Sequence, residues 1–179
     1  FGVDGFRIDT ARHVDPHFWQ QFVPAMQARA KARGIPNFHV FGEVYVETVD
    51  AGPLAWHTRE GGFPAVLDFA FRQAALETVA GKAATATWER MLTGDALYQG
   101  GAATARQLPT FVSNHDAGRF ATFVRRAFPQ AGEDEVLRRV MLANAMLLTL
   151  KDAAKFSGRK VLVAFSNISR NISAMIWRA

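Results

Sequence analysis

Three acidic residues in this sequence each close an apolar run. Asp9 follows Gly5-Phe6-Arg7-Ile8, Glu43 follows Val40-Phe41-Gly42, and Asp116 follows Val112-Ser113-Asn114-His115. An ionised carboxylate at the end of an apolar segment is costly if it is buried alone, so each of these needs a partner or a task. Any one of them, standing singly, reads as a helix cap or a loop carboxylate. Three with the same placement read as a set, and carboxylates gathered at one rim are groups that attack carbon centres or carry protons.

The elements that must hold them follow from periodicity. Residues 1–8 form a strand candidate, and Asp15-Pro16 is a helix start, with a capping carboxylate before a proline at the first helical position. The helix expected from there runs to about Arg33, with Phe18, Trp19, Phe22, Val23 and Met26 on one stripe, Gly34 as terminator and a kink at Pro24. Strands are expected over 38–44, 65–69 and 108–113, with helices over 72–80 and 133–150. Strands alternating with helices predict parallel strands joined by helical crossovers, as in a doubly wound sheet or an eight-stranded barrel, and in a parallel barrel the carboxyl ends of the strands meet on one face. From Lys151 the character changes, and residues 161–166 and 172–177 suit an antiparallel β-hairpin around Asn167 to Asn171.

Composition sets outer bounds. The 179 residues are 49% hydrophobic and 21% charged, an ordinary globular mix able to build one core. A net charge of +5 raises the question of a polyanionic partner, but the basic residues are scattered. Arg119, Arg125, Arg126, Arg138 and Arg139 read as a solvated face, so neither nucleic acid nor a membrane surface is expected as a partner. There is no cysteine, which excludes disulfides and thiolate metal sites and leaves the compartment undetermined. The longest apolar run, near Val140 to Leu150, is too short to span a bilayer.

The motifs carry a resemblance. Gly5-Phe6-Arg7-Ile8-Asp9-Thr10-Ala11-Arg12-His13, Phe41-Gly42-Glu43-Val44 and Phe111-Val112-Ser113-Asn114-His115-Asp116 resemble, in this order, the fourth-, fifth- and seventh-strand motifs of the alpha-amylase family of glycoside hydrolases. Val66-Leu67-Asp68-Phe69 would then be the sixth strand. The fold the resemblance implies is α/β, a partial (β/α)8 TIM barrel of about strands 4 to 7 over residues 1–150, with residues 151–179 as a hairpin remnant of the family's C-terminal β-sandwich. It implies a retaining hydrolase of alpha-glucans or alpha-glucosides, or a glucanotransferase of the same family, working on an oligosaccharide or alpha-glucoside substrate with no cofactor required. Asp9 resembles the nucleophile, Glu43 the general acid and base, and Asp116 the third carboxylate, which grips sugar hydroxyls. Arg7 would hold Asp9 ionised, His115 would donate to sugar hydroxyls, and Arg12 and His13 would line the leaving-group subsite. The family more often has Lys where Arg12 stands.

No metal ligand is assigned on this chain. The resemblance leaves room for calcium in a full-length parent, with His13 offering a backbone carbonyl. His17, His39 and His57 lack ligand-like spacing and read as loop or strand-end residues. Tyr45, Trp56 and Phe63 lie where an aromatic ring could stack on a sugar face, although for Trp56 local packing weighs more. The sequons Asn167-Ile168-Ser169 and Asn171-Ile172-Ser173 carry no assigned function. A barrel of this type needs about 250 residues. The family's first motif would precede Phe1, and no eighth strand is legible between Leu150 and Lys160. The expectation is therefore a fragment, with little hydrolysis by the chain alone, and a non-catalytic remnant or interaction module stands as the alternative.

Overall fold

A computed structural model describes residues 3–151, which places the expected hairpin at 161–177 and the second domain outside the described residues. Strand β1 spans Gly5–Ile8, helix α1 Pro16–Ala32, β2 His39–Gly42, α2 Gly52–Arg59, β3 Ala65–Val66 and α3 Phe69–Thr78. Four further helices follow: α4 at Ala86–Thr93, α5 at Ala102–Ala105, α6 at Phe120–Ala127 and α7 at Glu133–Thr149. The three strands form one parallel sheet in the order β1-β2-β3, with Ile8 opposite Gly42 and Gly42 opposite Val66. Parallel neighbours linked through α1 and α2 are the β-α-β arrangement that the alternation predicts.

Burial deepens from the outer strand β1 to β2 and β3. Val40, Phe41 and Gly42 are buried, as befits a central strand covered on both faces, whereas Phe6, Arg7 and Ile8 of β1 are only half-buried. The two strands approach so closely at Gly5 that a β-carbon there would lie 2.3 Å from the carbonyl oxygen of His39. Below the sheet the core runs through Leu54, Phe63, Val66, Phe69, Phe71 and Met91. In α1 the backbone N–H of His17 donates to the Asp15 carboxylate at 2.8 Å, the capping that the Asp-Pro pair foretells. The helix continues past Pro24 to Ala32. Its buried stripe is Trp19, Val23 and Ala30, and Phe18 is half exposed while its ring packs against Trp19 and Phe22.

Two expected elements are corrected. The strand over 65–69 stops at Val66, because Asp68 caps α3 by accepting from the Phe71 N–H at 2.9 Å, which makes Phe69 helical. The strand over 108–113 shrinks to a single parallel bridge between Thr110 and Asp68. Pro109 explains this: it has no N–H to donate to a ladder, and its carbonyl takes the one main-chain bond from Asp68, at 3.0 Å.

Under the sheet lies a buried ionic group. The Lys151 ammonium sits 2.7 Å from Asp68 and 3.0 Å from Asp95, and its side chain is 1% exposed. Burial pulls the lysine pKa down, but the two carboxylates more than offset it and the net shift is upward. The raised pKa means that the stabilisation is complete below the ordinary lysine range and is lost as pH rises through the folded value. Replacing Lys151 by Met leaves two buried carboxylates without their cation. Urea unfolding at neutral pH is expected to show a loss of about 3 to 5 kcal/mol, and an unchanged midpoint would mean that the group contributes nothing.

Candidate active site

The parallel register decides which side chains meet. Since Ile8 faces Gly42, the next residues, Asp9 and Glu43, leave the same end of adjacent strands side by side. The ladder runs on past the strands: the N–H of Glu43 donates to the Ile8 carbonyl at 2.7 Å, and the N–H of Ala11 to the Glu43 carbonyl at 3.0 Å. Between them Thr10 adopts φ 48, a left-handed conformation that a β-branched residue rarely takes and that costs roughly 1 to 3 kcal/mol. Strain of this kind persists only where neighbouring bonds fix the chain, and here they fix it immediately after Asp9.

Arg7 joins the two carboxylates. Its Nη1 donates to Asp9 Oδ1 at 2.8 Å. Its Nη2 lies 2.7 Å from Glu43 Oε1, a charge contact without hydrogen-bond directionality. The two acids sit in different surroundings. The Glu43 side chain is buried and also takes a long 3.4 Å contact from the Thr10 N–H, whereas the Asp9 side chain is 62% exposed. Burial, reinforced by a hydrogen bond with Asp9, pushes the Glu43 pKa up. That shared hydrogen bond, followed by the one from Arg7, pulls the Asp9 pKa down. Two adjacent carboxyls are thereby driven apart, the buried one towards holding a proton and the exposed one towards losing it.

Asp116 stands elsewhere in the same neighbourhood, on a turn rather than at a strand end. The Asn114 side-chain oxygen accepts from the Ala117 N–H at 2.6 Å, Asn114 bridges Gly118, and Gly118 takes φ 79, a value that favours glycine. His115 Nε2 is 3.0 Å from Asp116 Oδ2, and its charge acts on Asp9. Asp116 also lines a cavity of about 470 Å³ with Tyr45, Glu47, Arg72 and Phe123. Arg12 and His13 are exposed just past Asp9, and Arg12 donates to the Tyr45 carbonyl at 2.7 Å, tying the segment after the first acid to the one after the second.

Other candidate residues separate. Phe63 is core, against Trp19; Trp56 is exposed on α2, edge-on to His57; only Tyr45 reaches the cavity. Among the described residues no three His, Cys, Asp or Glu side chains could hold a metal ion together. No helix of the described residues is long and apolar enough to cross a membrane. Arg125 and Arg139 each pair with a glutamate, Glu133 and Glu135, at 2.6 and 2.9 Å. Sequence reasoning passed over Arg72, a buried arginine in the cavity wall. Its signal was a lone charge inside Phe69-Ala70-Phe71-Arg72-Gln73-Ala74-Ala75.

The chain resembles known proteins over most of its length. The family described as alpha amylase, catalytic domain, matches residues 1–156. An alpha-amylase from Streptomyces lividans is 37% identical over 147 residues, covering 82% of this chain and 16% of that protein. A cyclomaltodextrinase from Thermoanaerobacter pseudethanolicus is 30% identical over 120 residues, covering 67% of this chain and 19% of that protein. The chain thus spans less than a fifth of the length of these curated relatives. Among solved structures, a cyclic alpha-maltosyl-(1→6)-maltose hydrolase from Arthrobacter globiformis, in complex with its namesake sugar, superposes with a TM-score of 0.62 at 15% identity. That match covers 83% of this chain and 29% of the other. The type III pullulan hydrolase from Thermococcus kodakarensis gives a TM-score of 0.61 at 22% identity, over 82% of this chain and 24% of its own.

Arg7 lowers the pKa of both acids, so its removal has a definite sign. Carbon-13 NMR titration of the side-chain carboxyls is expected to show Glu43 titrating above the usual carboxylate range and Asp9 below it. In Arg7→Met both midpoints should move upward. A downward shift of either would contradict the bridging role.

Proposed function

The chain belongs to the alpha-amylase family of glycoside hydrolases, and from that premise we propose that it hydrolyses alpha-glucosidic bonds with retention of configuration through Asp9 and Glu43. The single observation that carries this reading is the opposite displacement of the two acids around one guanidinium. Asp9, held ionised, attacks the anomeric carbon while Glu43, held protonated, gives its proton to the leaving oxygen, so that a covalent glycosyl-Asp9 ester forms as the glycosidic bond breaks. Glu43, now a carboxylate, takes a proton from water, and the water oxygen displaces Asp9 from the same carbon. Two inversions give net retention. Asp116 grips hydroxyls of the sugar at the reacting position and favours its flattened, cation-like form, with His115 as a neighbouring donor. Arg12 and His13, beyond Asp9, face the leaving-group side. The substrate is an alpha-linked oligosaccharide or glucoside, and no cofactor takes part in these steps. An acceptor sugar replacing water in the second step would make the same residues a transferase.

A second reading, a non-catalytic remnant or interaction module, is favoured by the exposure of Asp9. A nucleophile that open to solvent, on the outer strand of the described sheet, lacks the dry surroundings in which fixed charges lower a barrier most.

One assay separates the two. The chain is incubated with maltotriose and with an aryl alpha-glucoside, beside Asp9→Asn, and the first-formed sugar is followed by proton NMR. The hydrolytic reading expects slow release of the alpha anomer and a loss of roughly 10³-fold or more in Asp9→Asn. A first-formed beta anomer would overturn retention, turnover indifferent to Asp9→Asn would overturn the role of Asp9, and no turnover in the unaltered chain would establish the second reading.

A further inference from the structure

We propose that Arg72 is a positioning residue for Asp116, clamping the turn that carries this carboxylate onto helix α3. The inference rests on the reading of Asp116 as a substrate-gripping acid, and it assigns a task to a residue that none of the three motifs contains.

The observations converge on Ala117, the residue after Asp116. Its N–H is taken by the Asn114 side chain at 2.6 Å, and its carbonyl accepts from Arg72 Nη2 at 3.2 Å, across a separation of 45 residues. The turn is thus closed locally on one side and anchored to a distant helix on the other. The Asp116 side chain does not supply that anchor, since its close contact among the described residues is to its neighbour His115. Ser113 accepts from the Phe120 N–H at 2.9 Å, which ties the turn's far end to α6 but leaves its relation to α3 to Arg72.

Arg72 is built for precision rather than for packing. It is 3% exposed, its guanidinium lies 5.8 Å from the centroid of the Phe123 ring, and its Nε has no acceptor among the described residues although it is buried. A methionine would fill the same space without leaving a buried donor unpaired, so packing alone does not account for an arginine here. The guanidinium also sits in the wall of the cavity that contains Asp116, Tyr45 and Glu47. Its planar fork holds direction as well as distance, which a lysine ammonium on a flexible stem does not.

The test compares the chain with Arg72→Met and Arg72→Lys, reading amide hydrogen exchange and maltose binding by ligand-observed NMR. Loss of the clamp should speed exchange at Ala117 and Gly118 by about tenfold or more while Ala75 and Leu76 of α3 keep their protection. Maltose affinity should fall about as far in Arg72→Met as in Asp116→Asn, and the double variant should fall no further, because both changes remove one interaction. Unchanged exchange at Ala117, protection lost equally throughout α3, or additive losses of affinity would each overturn the proposal, as would collapse of the fold in both variants. If the unaltered chain does not bind maltose, the reading of Asp116 fails, and the exchange data still decide whether Arg72 holds the turn.

Discussion

One cation between two acids sets the conditions for everything else at this rim. Arg7 lies within 2.8 Å of Asp9 and 2.7 Å of Glu43, and an arginine keeps its charge at any pH at which a protein folds. With equal surroundings the two carboxyls would respond to it equally and share a proton without preference. Their surroundings differ because β2 is covered on both faces while β1 is not, so burial raises Glu43 and solvent leaves Asp9 free to ionise. The opposite displacement of the two carboxyls among the described residues therefore follows from their unequal burial around one shared cation.

The sheet also explains how the two carboxyls come to be held close together. Register fixes the Cα atoms of Asp9 and Glu43 through main-chain bonds on both sides, Glu43 N–H to Ile8 and Ala11 N–H to Glu43. Thr10 bears the backbone strain that this geometry demands. Such strain is sustained by the ladder around it, so the position of Asp9 draws on the stability of β1 and β2 as well as on its side-chain contact to Arg7.

What the sequence disclosed and what it concealed divide along the same physical line. Apolar runs closed by Asp9 and Glu43 are local signals, and they led correctly to two parallel neighbours, as the Asp15-Pro16 pair led to α1. The expected strand at 108–113 failed at Pro109, whose missing donor was visible and outweighed by the apolar neighbours Leu108, Phe111 and Val112. Helices α2, α4 and α6 have eight residues each and too little local propensity to stand alone, so packing rather than pattern creates them. Least legible were pairings across long separations. Lys151 with Asp68, 83 positions apart, and Arg72 with Ala117 exist only once the chain has folded.

The three acids consequently rest on two kinds of support. Asp9 and Glu43 are held by a ladder in which each main-chain bond reinforces the next, and moving one without the other would break several at once. Asp116 is held by a turn whose shape comes from Asn114 and Gly118 and which is tied to α6 through Ser113 and to α3 through Arg72. On the proposed function, the pair would exchange bonds between fixed atoms, and the third acid, on a turn clamped through a planar guanidinium, would keep one direction towards a sugar ring that changes shape.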